Sequence, residues 1–338
     1  MLIRSPAAAR LQRSIHCLAA VTSPTLIPYL IDWVILLTSW IHLVTAMIWV
    51  GTSFYFVWLD NNLVPTDQEA LRDRGVSGEL WALQGGAFYN VQKYPLGPRR
   101  GAVSHLHWLF HESYLAWLSG LALFGLLFGP GRGGELVPGL GAWGLIPALG
   151  FMAGGWLVYD LFCIVFCQQR DADHPPDAGS ERRCIIWLLV LALPIGVWSA
   201  FQLFTAKGAF LVVGGMLATI MTANVLLRIL PGQRDVVTRL QLGRTPAPYP
   251  GQRAKRRSLH NSYLILPVLV AMTAHHAESL HRHPASWVML LMLMACALLV
   301  RHMTVVRHRG RMLWELVPLI LGLLGAVIVL MAPPEALT

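Results

Sequence analysis

The sequence predicts an all-α integral membrane protein, a bundle of about eight transmembrane helices joined in part by two long cytoplasmic loops. Three observations predict it. Of 338 residues, 55% are hydrophobic and only 13% charged, against about 25% charged in ordinary soluble domains. Mean hydropathy is +0.55. The apolar residues also fall into runs near the ~20 residues that a helix needs to cross a ~30 Å hydrocarbon core.

The first 29 residues stand apart. Arg4, Arg10 and Arg13 precede a short apolar patch interrupted by Pro24 and Pro28, which reads as a weak signal-like segment or an over-extended gene start. The membrane unit is expected over 30–332, with 333–338 as a tail. Apolar runs place the spans near 33–59, 105–128, 143–166, 185–205, 208–230, 262–280, 286–303 and 312–331. Pro267 lies inside the sixth. The long connections are 62–104, with Gly85-Gly86, Pro95 and Pro98, and 231–261, rich in Pro and Arg. Connections of this length are functional or disordered more often than simple turns.

The net charge of +9 is no sign of nucleic-acid binding. Its Lys and Arg crowd the connections 60–104, 167–184, 231–261 and 301–311, which the positive-inside rule assigns to the cytoplasm. Both ends of the mature chain are then expected outside it. The 13 tryptophans suit interfacial belts. Cys163 and Cys167, one helical turn apart in an apolar run, read as buried thiols, and no CxxCH for covalent haem is present.

Ionisable groups at membrane depth are costly and mark function by default. Glu112, Asp160, Asn224 and Arg228 sit within the second, third and fifth runs. With the loop charges setting direction, His107 and His111 share a helix face at the inner end of the second span, and Glu112 lies roughly 12 Å deep at 1.5 Å per residue. Tyr159 and Asp160 fall in the inner third of the third span. His260 and Asn261 open the sixth, and Arg301 and His302 close the seventh. One layer near the cytoplasm therefore collects polar groups. A structural ion pair of Glu112 or Asp160 with Arg228 is the plainer reading of part of it, and snorkelling toward the interface is the plainer reading of His105, Arg301 and His302. His42 and His276 belong to the outer half. Two such histidines on different helices can supply the axial nitrogens of a haem b; a lone membrane histidine is as often bonded to a neighbouring helix. No metal beyond such a haem iron is expected.

These residues carry a resemblance. The stretches Trp40-Ile41-His42 to Asp60-Asn61, Gly78-Glu79-Leu80-Trp81, Gly85 to Tyr89, Lys93-Tyr94 and Leu106-His107-Trp108 match in order. So do Tyr159-Asp160, Thr219-Ile220-Met221, Ala223-Asn224-Val225, Gln233-Arg234, His260-Asn261, Tyr263, Leu266-Pro267-Val268-Leu269, His276, Arg301-His302, Arg307 and His308. Over about 30–331 the chain resembles the transmembrane N-terminal domain of the membrane-bound bacterial urate oxidases (urate hydroxylases). The resemblance implies oxidation of urate to 5-hydroxyisourate at the inner membrane during purine breakdown. Longer family members carry a cytochrome c domain after the last span; the chain ends at Thr338, so a separate c-type cytochrome is the expected electron acceptor. Two positions depart from the family pattern: Gln84 stands where a His precedes the glycine pair, and His111 where a Trp is expected. Glutamine cannot take up a proton or ligate a metal well.

On this reading Glu112, His107 and His260 are the candidate catalytic proton acceptors. Asn224, Arg228, Gln233, Arg234, Asn261, Asp160, Arg301 and Lys93 are the candidate urate-binding residues, since arginine presents a planar fork of donors to a flat anion. His42 and His276 are the candidate haem ligands. A cytochrome b-like electron carrier and a purine-anion transporter remain the alternatives, since charges inside a membrane mark transport paths as readily as catalysis.

Overall fold

The computed structural model describes residues 26–95, 97–98, 106–130, 135–166, 178–244, 248–307 and 313–332. His105 and His308 lie outside the described residues. The chain is mostly helical. Among the described residues each of the eight apolar runs falls mainly on helix, and five helical stretches are long and apolar enough to cross a membrane: Leu26–Asn62, Gly141–Phe166, Arg183–Leu203, Ala206–Gln241 and Ser286–Arg307.

Helix α1 (Leu26–Asn62) has 37 residues, about 55 Å at 1.5 Å per residue, so its end carrying Asp60, Asn61 and Asn62 outruns a ~30 Å hydrocarbon layer. Leu59 is its one buried residue; one side, with Trp49, Val50 and Phe54, packs on the core, and the other is exposed. The region 62–104, expected as a loop, is in part ordered otherwise. It holds a short helix α2 (Glu69–Asp73) and an antiparallel hairpin, β1 (Gly78–Gln84) and β2 (Ala87–Lys93), paired from Gly78↔Lys93 to Gln84↔Ala87. The all-α expectation is corrected by this hairpin. Its cause is legible in the turn: Gly85 and Gly86 both take positive φ, 59° and 81°, the conformation of a two-residue turn that matches strand twist and that side chains resist. At the hairpin base the Glu79 carboxylate accepts hydrogen bonds from Thr66 Oγ1 (2.8 Å) and Asn90 Nδ2 (3.1 Å).

Helix α3 (His111–Phe128) packs along α1. Residues 106–110 are not helical, which corrects two expectations. His107 and His111 do not share a helix face, and Glu112 lies in the first turn of α3 rather than two turns inside it. A 3₁₀ turn (Gly141–Gly144) leads into α4 (Leu145–Phe166). Helix α5 (Ala178–Trp187) passes through a widened π turn (Leu188–Ala192) into α6 (Leu193–Leu203). Helix α7 (Ala206–Asn224) passes through a second π turn (Val225–Ile229) into α8 (Leu230–Gln241). Both π turns come just before a proline, Pro194 and Pro231. Proline has no N–H and its ring crowds the carbonyl four residues back, and an inserted residue relieves that conflict.

The second long connection is also mainly helix. Besides α8 it forms the start of α9 (Pro248–Ala274), so His260 and Asn261 lie inside a helix rather than at its mouth. The sixth apolar run ends early, at Ala274, and continues as a short α10 (Glu278–Arg282). Helices α11 (Ser286–Arg307) and α12 (Leu316–Met331) complete the order.

Helix α7 is the centre. It packs on α9, α4, α6 and α3, and Phe210, Val212, Val213 and Leu217 are among its buried residues. Small residues let neighbours approach closely where no hydrophobic effect drives helices together in lipid. A Cβ added at Gly214 would meet Met272 Cε at 3.0 Å, and one at Gly215 would meet Met152 Cε at 2.6 Å, so the flexible methionines fill the space that the glycines leave.

Candidate functional site

Three helices bring the buried polar residues together. Asp160 on α4 accepts from Arg228 Nε at 3.0 Å, with a further bond from Arg228 Nη2, and from Arg257 Nη2 at 2.8 Å. Arg228 sits in the π turn after α7 and Arg257 on α9. Asn224 Nδ2 donates to Tyr159 Oη (2.9 Å) and Asn261 Oδ1 (2.9 Å), and Asn261 Nδ2 donates to the Met221 carbonyl (2.8 Å). Tyr159 Oη lies 2.8 Å from His260 Nδ1, and the Arg257 guanidinium lies 5.1 Å from the centre of the Tyr159 ring. Asp160, Asn224, Arg257, His260 and Asn261 are all buried.

This network satisfies itself, as buried polar groups must. One carboxylate faces two guanidinium groups, so the local charge is one positive unit in excess. Arg257 is sealed at 5% side-chain exposure, whereas Arg228 is 24% exposed; the excess charge has its open side at Arg228. Tyr159 accepts from Asn224, and its own hydroxyl proton is free to point at His260 Nδ1. A neutral His260 then carries its proton on Nε2, for which no partner is seen among the described residues.

A second polar locus lies across α9. Arg301 on α11 is fully buried, at 0% exposure. Its Nε donates to the Ser262 carbonyl (2.9 Å) and Oγ (3.1 Å), its Nη2 donates to Ser262 Oγ (2.5 Å), and its guanidinium lies 4.4 Å from the Phe54 ring centre. No carboxylate pairs with it among the described residues, and its Nη1 is buried without a partner. Next to it in sequence, His302 Nδ1 lies 2.8 Å from Tyr263 Oη. Glu112 Oε2 is the other charged-group atom buried without a partner among the described residues.

The candidate residues therefore separate. Asp160, Asn224, Arg228, His260 and Asn261 meet in one network, and Arg301 stands on the other side of the same helix. Gln233 and Arg234 lie exposed on α8, and His107 is exposed before α3. Lys93 closes the hairpin onto α1 through Asp60 (2.6 Å), with both side chains over two-fifths exposed. Gln84 is at the exposed hairpin tip, not in the buried network. Arg257 is the member of the network that sequence reasoning missed. It falls in the run Lys255-Arg256-Arg257, which reads as solvated loop charge. Its spacing of three and four from His260 and Asn261 was the available signal, because those offsets share a helix face.

The haem expectation divides. His42 Nδ1 bonds to the Ala116 carbonyl (2.9 Å). Donation there leaves Nε2 with its lone pair, as in an oriented axial ligand. His276 is exposed past the end of α9 with its ring 3.8 Å from that of His275, and none of the described contacts joins it to His42. The pair does not form a built haem site. No group of three or more metal-binding side chains occurs among the described residues.

Tyr159, Asp160, Asn224, His260 and Asn261, far apart in sequence, carry much of the resemblance noted from sequence, and they are the residues that the fold brings into contact. No curated protein and no solved structure matches the chain. A family model does, over residues 28–332, and its description points to urate-related oxidoreductase chemistry. By that match, which covers most of its length, the chain belongs to the urate oxidase N-terminal family.

Proposed function

We propose that the protein is a membrane oxidoreductase that converts urate to 5-hydroxyisourate and passes the electrons to a separate acceptor. The single observation that carries this reading, beside family membership, is Arg301: a fully buried guanidinium with an unpartnered Nη1 and no carboxylate beside it among the described residues. A buried charge left uncompensated is strongly unfavourable, so a chain that keeps one benefits when an anion arrives. Urate is a flat anion edged with oxygen and nitrogen, and arginine's fork fits such an edge.

In this reading Arg301 anchors the anion, the surplus charge at Arg228 draws it from solvent, and Glu112 Oε2 accepts a proton as the ring is oxidised. The Asp160–Arg228–Arg257 network holds α4, α7 and α9 in register beneath. The eight apolar runs all cross the inner membrane, with the polar layer near the cytoplasm where urate is made. The acceptor that the resemblance implies is a c-type cytochrome on the outer side. The test is loss of urate's ultraviolet absorbance in membranes bearing the chain, with and without added cytochrome c. Loss of turnover in Arg301→Gln, with the protein still folded, is the expected result. Urate uptake into vesicles without oxidation would replace the enzyme by a transporter. Turnover unchanged in Arg301→Gln would remove the anchor.

A further inference from the structure

A cavity of about 450 Å³ lies between α4, the π turn Leu188–Ala192, α6, α7 and α9. This is within the range of small-molecule sites. Its mouth is apolar and outward: Val158, Leu191 and Ile195 line it and are each at least half exposed. In a bilayer such residues face hydrocarbon, so an occupant enters from lipid and not from water. Urate, an anion, is excluded by that route. One wall is different in kind. Tyr159, His260 and Tyr263 reach the cavity from α4 and α9. With the Tyr159 hydroxyl directed at His260 Nδ1, a neutral His260 keeps an N–H at Nε2, which has no protein partner among the described residues. An acyl chain has no use for such a donor; a lipid-soluble carbonyl compound has.

We propose that this cavity binds the head of a membrane quinone, its carbonyl oxygen accepting from His260 and its prenyl tail leaving between Val158 and Ile195, and that this quinone takes the electrons of urate. The proposal rests on the urate reading and names its first electron acceptor. The chemistry balances without another oxidant. Urate and water give 5-hydroxyisourate, two protons and two electrons; the quinone gains two electrons and two protons and leaves as quinol. The two loci are neighbours through one side chain. Tyr263 lines the cavity while its hydroxyl meets His302, the residue beside Arg301.

The experiment uses the full chain in native-composition vesicles and a photoreactive azidoquinone with a decyl tail. The blocking variant is Gly154→Leu. Gly154 lines the cavity and a Cβ there meets no atom within 4 Å, so the side chain fills the cavity without displacing protein. Gly150→Leu, one turn away on the exposed side of α4 and equally free of contacts, is the control. Labelling is expected within 151–164 and 185–199, displaced by unlabelled quinone and reduced roughly tenfold or more in Gly154→Leu, with Gly150→Leu unchanged. Urate-dependent quinone reduction is expected to fall in parallel, while urate binding measured by calorimetry is kept. Labelling that phospholipid displaces and quinone does not would overturn the proposal, as would labelling insensitive to Gly154→Leu. Urate oxidation that reduces cytochrome c directly and never quinone would overturn the acceptor role. Specific labelling with no urate oxidation by any acceptor would overturn the urate reading and uphold the quinone site.

Discussion

Replacing Asp160 tests the buried network at its one anion. Asp160→Ala removes three charge-assisted hydrogen bonds at once, two from Arg228 and one from Arg257. What remains is two facing guanidinium groups. Among the described residues Arg257, at 5% side-chain exposure, keeps a 3.4 Å contact to Asn224 Oδ1 and the face of Tyr159. Breaking a buried pair by removing one partner costs about 3–5 kcal/mol. At ~2–4 °C per kcal/mol for a large domain, the midpoint of thermal unfolding drops by roughly 10 °C. The three positions are also ranked by exposure. Arg257→Gln should cost less than Asp160→Ala, and Arg228→Gln least, about 1 kcal/mol, because its 24% exposed side chain is already partly solvated. Leucine at all three positions should restore most of the loss, since a packed apolar trio removes the desolvation cost together with the attraction. The assay is the fraction of monodisperse protein after graded heating in detergent. A midpoint for Asp160→Ala within about 2 °C of the parent, or a leucine triple no better than the single change, would refute the reasoning.

Other expectations follow from single contacts. Arg301→Gln removes a charge that has no counterion among the described residues, so thermal stability should hold or rise while calorimetric urate binding is lost; a large destabilisation would mean an unrecognised partner. A Cβ at Gly120 would lie 2.8 Å from His42 Cε1, and that ring is pinned by the Ala116 carbonyl. Gly120→Ala should therefore cost about 1–3 kcal/mol, relieved by adding His42→Ala, and additive costs in the double variant would argue against direct contact. Gln84→His alters an exposed hairpin tip, so stability should stay within about 0.5 kcal/mol; a large rise in urate turnover would show that the tip reaches the reaction after all. Gly85→Val forces a side chain into positive φ and should unfold the hairpin, seen as rapid proteolysis between Leu83 and Phe88, while the buried network's thermal midpoint is kept.

Much of the site was legible before the fold. Asp160, Asn224, Arg228, His260 and Asn261 stood out because polar groups inside apolar runs need partners, and they have each other. Arg257 was not legible, since nothing in Lys255-Arg256-Arg257 says which of three charges turns inward. Glu112 falls in the first turn of its helix and not two turns in, because apolar content alone cannot tell that the helix starts at His111. The hairpin had a visible cue in Gly85-Gly86 between apolar runs, yet the length of the connection argued for a loop.

Composition and the spacing of apolar runs settled that this chain is mainly apolar helix, because helix formation is local and each run satisfies its own backbone. Family membership is likewise a property of the residues in their order. Only the tertiary structure decided which charges are paired and which is left alone. Asp160 meets Arg257 across 97 positions of chain, and Arg301 meets Ser262 and no carboxylate among the described residues. Those outcomes depend on how far each helix extends and how it is rotated against its neighbours. Packing of whole helices sets both, and no short stretch of sequence carries that information.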